Sequence, residues 1–75
     1  MSNKPICGRW RDNNIMPREF ESCIFEFKVN ERKKEMVIGC YRRGKIFKVN
    51  LNYDGKYDFV CDTDAVIRWC YIDLN

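Results

Sequence analysis

Histidine is absent from this 75-residue chain. Without it, a His-based triad and His-based general acid–base catalysis are excluded. Close cysteine pairs are missing too. Cys7, Cys23, Cys40, Cys61 and Cys70 are scattered, odd in number and never spaced C-x-x-C, unlike the paired ligands of a zinc site. The expectation is therefore no metal and no cofactor, with Cys23, Cys40 and Cys70 as small buried hydrophobes and the thiols reduced. No segment approaches the roughly 20 apolar residues of a membrane-spanning helix. The opening Met1-Ser2-Asn3-Lys4-Pro5 has no apolar core of a signal peptide. The chain is expected to be soluble and cytoplasmic, without a membrane partner.

What is present is apolar and aromatic. Hydrophobic residues make up 45% of the chain and aromatics 15%, too much for a disordered segment. The length suits one domain with one small core, spanning 1–75, in which 1–8 forms a loose arm that docks at most through Ile6 and Cys7. Phe20, Phe25, Phe27, Phe47 and Phe59, with the tyrosines and Trp10 and Trp69, are expected to supply most of the burial. The net charge of +3 is unevenly spread: residues 1–53 carry net +6 and residues 54–75 net −3. A positive patch on one face is compatible with that split.

From Ser22 the apolar pattern has period two, the mark of half-buried strands. Cys23, Phe25, Phe27 and Val29 oppose Ile24, Glu26 and Lys28. After a polar loop at Asn30–Lys33, Glu35–Arg42 is apolar on both faces and reads as a central strand. Arg43-Gly44 makes a tight turn. Lys45–Tyr53 then alternates Phe47, Val49, Leu51 and Tyr53 with Lys48, Asn50 and Asn52. Asp54-Gly55 is a strong hairpin signal and leads into Lys56–Cys61. A polar turn at Asp62-Thr63-Asp64 precedes a last strand, Ala65–Ile72, in which Trp69 shares a face with Ile67. Before Ser22, Trp10–Glu21 has no clean period; Asn13-Asn14 marks a turn, and Pro17 suits the start of a short helical turn over Arg18–Glu21.

About five strands joined by short turns predict a mainly β fold, an antiparallel meander. No long helix is available to cover a flat sheet, and wet apolar surface costs roughly 25 cal/mol per Å². The sheet is therefore expected to curl into a partial barrel, or else to dimerise. In the curled form Trp10–Glu21 plugs one open end.

Several of these stretches resemble a known family. Trp10 followed by Met16-Pro17, the central Val37-Ile38-Gly39-Cys40-Tyr41-Arg42-Arg43-Gly44-Lys45-Ile46-Phe47 and the closing Val66-Ile67-Arg68-Trp69 resemble, in order, the DUF551 family of small phage and prophage domains of unknown function. That pattern runs from a tryptophan through a leucine-proline pair, a strand and a glycine-tyrosine hairpin to a proline-rich threonine-histidine-tryptophan segment. Here Met16 replaces the leucine, Ile67-Arg68 stands at threonine-histidine, and Tyr71 and Asp73 replace prolines. A role resting on that histidine is not carried over. The resemblance implies a phage-related accessory protein with no assigned enzyme activity.

The residues offer little for catalysis. Cys40 near Arg42 and Cys70 near Arg68 would be cation-activated nucleophiles only if exposed. Asp58, Asp62 and Asp64 lack the spaced loop of a calcium site and read as a solvated turn. Binding has more support. Tyr41, Arg42, Arg43 and Lys45 place cations and an aromatic at one hairpin tip, with Lys48 nearby; Lys33 and Lys34 form a separate patch. Asp54 and Asp58, with Asp62 and Asp64, form a local acidic set. The expected activity is non-enzymatic binding of a host protein, such as inhibition of a defence nuclease of the CRISPR–Cas kind. The alternative is a nucleic-acid or nucleotide-binding module that uses the basic hairpin.

Overall fold

A computed structural model describes residues 6–7, 9–50 and 56–73. The Asp54-Gly55 turn, the strand positions 51–53 and residues 1–5 of the arm lie outside the described residues. Seven strands are present among the described residues: β1 (Ile6–Cys7), β2 (Arg11–Asp12), β3 (Cys23–Asn30), β4 (Lys33–Arg42), β5 (Lys45–Asn50), β6 (Lys56–Asp62) and β7 (Val66–Asp73). One 3₁₀ turn, Thr63–Ala65, joins β6 to β7. The protein is mainly β, antiparallel throughout, and its curled sheet is not closed. No described helix is long and apolar enough to cross a membrane.

The strands β3 to β6 run as a meander, and β7 then returns to pair with β3, giving the order β1-β7-β3-β4-β5-β6. Each tight connection has a local cause. Arg43 (φ 49°) and Gly44 (φ 79°) both adopt positive φ, the requirement of a two-residue hairpin loop whose twist matches its strands. At the β3–β4 hairpin the Arg32 backbone N–H donates to Asn30 Oδ1 at 2.8 Å, a side chain standing in for a backbone acceptor.

Strand β4 changes partner midway. Residues up to Gly39 pair with β3, and Cys40–Arg42 pair with β5. At Gly39 the chain of β5 crosses so closely that a Cβ would sit 1.9 Å from the Phe47 carbonyl oxygen. The missing side chain lets β5 and β6 fold over the face of β3 and β7. Between these layers lies the core: Cys23, Phe25, Ile46, Cys61, Val66 and Trp69, with Met16, Phe27 and Val37 packed around it.

Two bulges reset which residues face inward. In β7 the register jumps from Glu26↔Arg68 to Phe27↔Val66, leaving Ile67 as the extra residue. Val66 is therefore buried beside Trp69, whereas Ile67, expected on the Trp69 face, is only half-buried. In β6 the register jumps from Ile46↔Cys61 to Phe47↔Phe59, with Val60 extra. Ile46 and Cys61 fill the core, and the aromatics beside them turn outward.

The segment before β3, expected to plug an open end, packs along β7 as strand and turn instead of helix. Arg11 and Asp12 pair with Trp69 and Arg68. The buried Trp69 donates from Nε1 to the Ile15 carbonyl at 2.7 Å. Tyr71 meets Trp69 edge-on at 5.0 Å, and its hydroxyl accepts from the Arg18 backbone N–H at 3.1 Å. Arg18–Glu21 forms no helical turn; the Glu21 N–H reaches the Arg18 carbonyl at 3.4 Å and Phe20 between them has φ 68°. Trp10 lies elsewhere, over the Arg68 guanidinium at 4.2 Å.

Candidate functional site

The outward phase of β5 and β6 creates an exposed aromatic surface. Phe47 and Phe59 are opposite one another, edge to face, with centroids 6.1 Å apart. Phe59 is 55% exposed and Tyr57 49%. Phe20, carried in by the turn before β3, adds a ring that is 57% exposed. Phe20, Phe47 and Tyr57 border a cavity of about 40 Å³, which Cys40 and Arg42 also line.

Cations are placed on these rings. The Arg42 guanidinium lies 5.3 Å from the Phe20 centroid, and Lys45 Nζ lies 5.4 Å from that of Phe59, both at cation–π distance. Lys45 also pairs with Asp62 at 3.2 Å, so its charge is compensated. Arg42 and Arg43 form no ion pair among the described residues.

Phe20 is held in an unfavourable backbone region. Left-handed φ costs an L-residue roughly 1–2 kcal/mol, more readily borne by Gly or Asn than by a bulky ring. Two contacts impose it: the Phe20 N–H donates to the Tyr41 carbonyl at 3.2 Å, and the Arg43 N–H donates to Glu19 Oε2 at 2.8 Å. The turn is thereby stitched to the β4–β5 hairpin, and the ring is presented to solvent.

The residues expected to bind divide between two faces. Arg42 and Lys45, directly opposite in register, stand on the aromatic face, with Arg43 exposed at the tip. Tyr41 pairs with Ile46 and packs half-buried against the core. Lys48 and Asp58 are opposite one another, one residue out of phase with Phe47 and Phe59, and belong to the other face. Asp58 is half-buried and engaged in an interaction of its own. Asp54 lies outside the described residues.

Phe20, Phe47, Tyr57 and Phe59 complete the site, and the expectation that Phe20 and Phe59 supply burial is corrected by their exposure. The signal that misled was real alternation, Phe47/Val49 against Lys48/Asn50, which does not say which face turns inward. Ile46, flanked by Lys45, is the residue that fills the core.

Thiol and carboxylate chemistry is weakly supported here. Burial pushes the Cys23 thiol up to about 12, with Glu21 adding to the effect. Burial also raises Cys40, against the opposing pull of Arg42, and raises Cys61 together with Asp62. All three are free thiols. Cys70 departs from the expectation of reduced cysteines: it is buried and disulfide-bonded, which removes it as a nucleophile. Among the described residues no group of three or more His, Cys, Asp or Glu side chains is arranged to hold a metal.

No protein-family model matches the chain, and no curated protein or solved structure matches it.

Proposed function

We propose that this chain is a small non-catalytic binding module that acts by occupying the surface of another protein. The observation that carries the reading is the aromatic face of exposed Phe20, Tyr57 and Phe59 and half-buried Phe47, with Arg42 laid on Phe20 and Lys45 on Phe59. Aromatics and arginine are the residues enriched at the energetic centres of protein interfaces. Such a face stays soluble alone and becomes a hot spot once water is excluded. The resemblance to DUF551 supports the setting: a phage- or prophage-encoded accessory protein in the host cytoplasm, whose partner is a host protein such as a defence nuclease.

Charge favours this reading over nucleic acid. Tight phosphate binding draws on several uncompensated cations, and each one adds to the salt dependence. On this face Lys45 is neutralised by Asp62, leaving Arg42 and Arg43. The aromatic rings favour stacking with bases as well, so single-stranded nucleic acid is the second reading.

Affinity purification from host lysate with nuclease treatment separates the two. A protein partner is expected to survive the nuclease and to be lost from Phe20→Ala/Phe59→Ala bait that remains folded. Loss of all captured material on nuclease treatment, with oligonucleotide binding that weakens steeply in salt, would establish nucleic acid instead.

A further inference from the structure

A second surface lies on the outer face of β3 and β4, next along β4 from the aromatic site and sharing no lining residue with its cavity. Three successive cross-strand pairs occupy it: Ile24↔Ile38, Glu26↔Met36 and Lys28↔Lys34. Met36 is 55% exposed and Ile38 59%. With Ile24 and Val37 they line a shallow groove of about 250 Å³.

The charges beside this groove are unusual. Lys28 and Lys34 stand directly opposite one another, a like-charge arrangement that destabilises a sheet. The nearest candidate counter-ion on the face is committed elsewhere: Glu26 Oε1 accepts from Arg68 Nε at 2.7 Å, and Arg68 is stacked on Trp10. Neither lysine has an ion-pair partner among the described residues. Lysines that only keep a surface soluble need not face each other. One strand step of roughly 7 Å separates this pair from Met36, and a second separates Met36 from the Ile24–Ile38 pair.

We propose that this face docks an acidic, apolar segment of a partner protein, whose apolar side chains enter the groove at Met36 and Ile38 and whose carboxylates meet Lys28 and Lys34. Charge complementarity selects that occupant. A carboxylate removes the Lys28–Lys34 repulsion at the same time as apolar surface is buried, so the two gains arrive together. The groove's lining, Ile24, Met36, Val37 and Ile38, includes neither Phe20 nor Arg42.

The test uses the full chain, labelled with ¹⁵N, and a short synthetic peptide in which leucine and glutamate alternate with serine. Amide shifts are expected to concentrate in β3 and β4, and the same peptide with lysine in place of glutamate is expected not to bind. Lys28→Glu/Lys34→Glu should weaken binding by roughly tenfold or more, the scale of about 1.4 kcal/mol. Lys28→Glu alone creates an opposite-charge pair with Lys34, so its retained or raised Tm guards against misfolding, and Ile38→Ser is expected to weaken binding too. Equal binding of the two peptides, no binding of either, or full affinity in the double variant would overturn the proposal. So would shifts confined to the Phe20 face, preferential binding to vesicles containing phosphatidylserine, or a self-association that Ile38→Ser abolishes.

Discussion

At the scale of single residues, Trp69 and Phe20 show opposite uses of a large ring. Trp69 is buried, hydrogen-bonded to the Ile15 carbonyl and braced by Tyr71 and Arg11. Trp69→Ala should cost about 3–5 kcal/mol, enough to unfold a domain of this size, as read by urea denaturation. Trp69→Phe keeps most of the burial but strands the Ile15 acceptor, and about 1–2 kcal/mol is expected. Phe20 is exposed and strained. Phe20→Gly relieves the left-handed φ and should leave Tm within a few degrees while abolishing partner capture. Cys23 adds a pH signature. Its thiol is raised to about 12 by burial, so the unfolded chain ionises first as pH rises. The contribution is present in full below about pH 9, the ordinary value of a solvated thiol, and is lost as pH climbs through the folded value. Stability should therefore fall steadily over that alkaline range, and Cys23→Ala should flatten the fall in pH-dependent urea titrations.

At the scale of elements, β4 and the bulges decide the architecture. Gly39→Ala places a methyl against the Phe47 carbonyl, and the backbone has to move. A loss at or beyond the upper end of the overpacking range, about 3 kcal/mol, is expected, with the β4–β5 amides losing hydrogen-exchange protection first. Much of this level was legible in the sequence: the period of two located β3 to β7, and Arg43-Gly44 announced its hairpin. What period alone does not carry is phase. A bulge at Val60 or Ile67 exchanges inside for outside without altering the alternation. For that reason Cys61 lies in the core while Phe59, two residues before it, leaves it to join Phe47, and half of the binding face went unread. The pairing of Ile6–Cys7 and Arg11–Asp12 with β7 was also hidden, because two-residue strands are too short to show a period. The basic tip was legible as charge; the rings beneath it were not.

At the scale of the whole molecule, the two surfaces are carried by one strand. Residues before Gly39 belong to the lysine-flanked groove, and residues after it belong to the aromatic face. Thiol counting tests the assembled state. Cys23, Cys40 and Cys61 are free, so alkylation in denaturant followed by peptide mapping should label these three without reductant and Cys70 only with it. Labelling of Cys70 in both samples would mean that its disulfide is not kept in solution. The position of β7 also governs when the fold can exist. It follows the six other described strands in the sequence yet lies inside the sheet, between β3 and the short strands β1 and β2. A ribosome-bound chain that has emerged only as far as β6 therefore presents β3 with a bare edge and a core lacking Val66 and Trp69. Folding must wait for residues 66–73, and the distant pairings it then requires belong to the slow end of small-domain kinetics. Until that moment β3 offers its edge to any passing strand, and the cell's holding chaperones are its natural guardians.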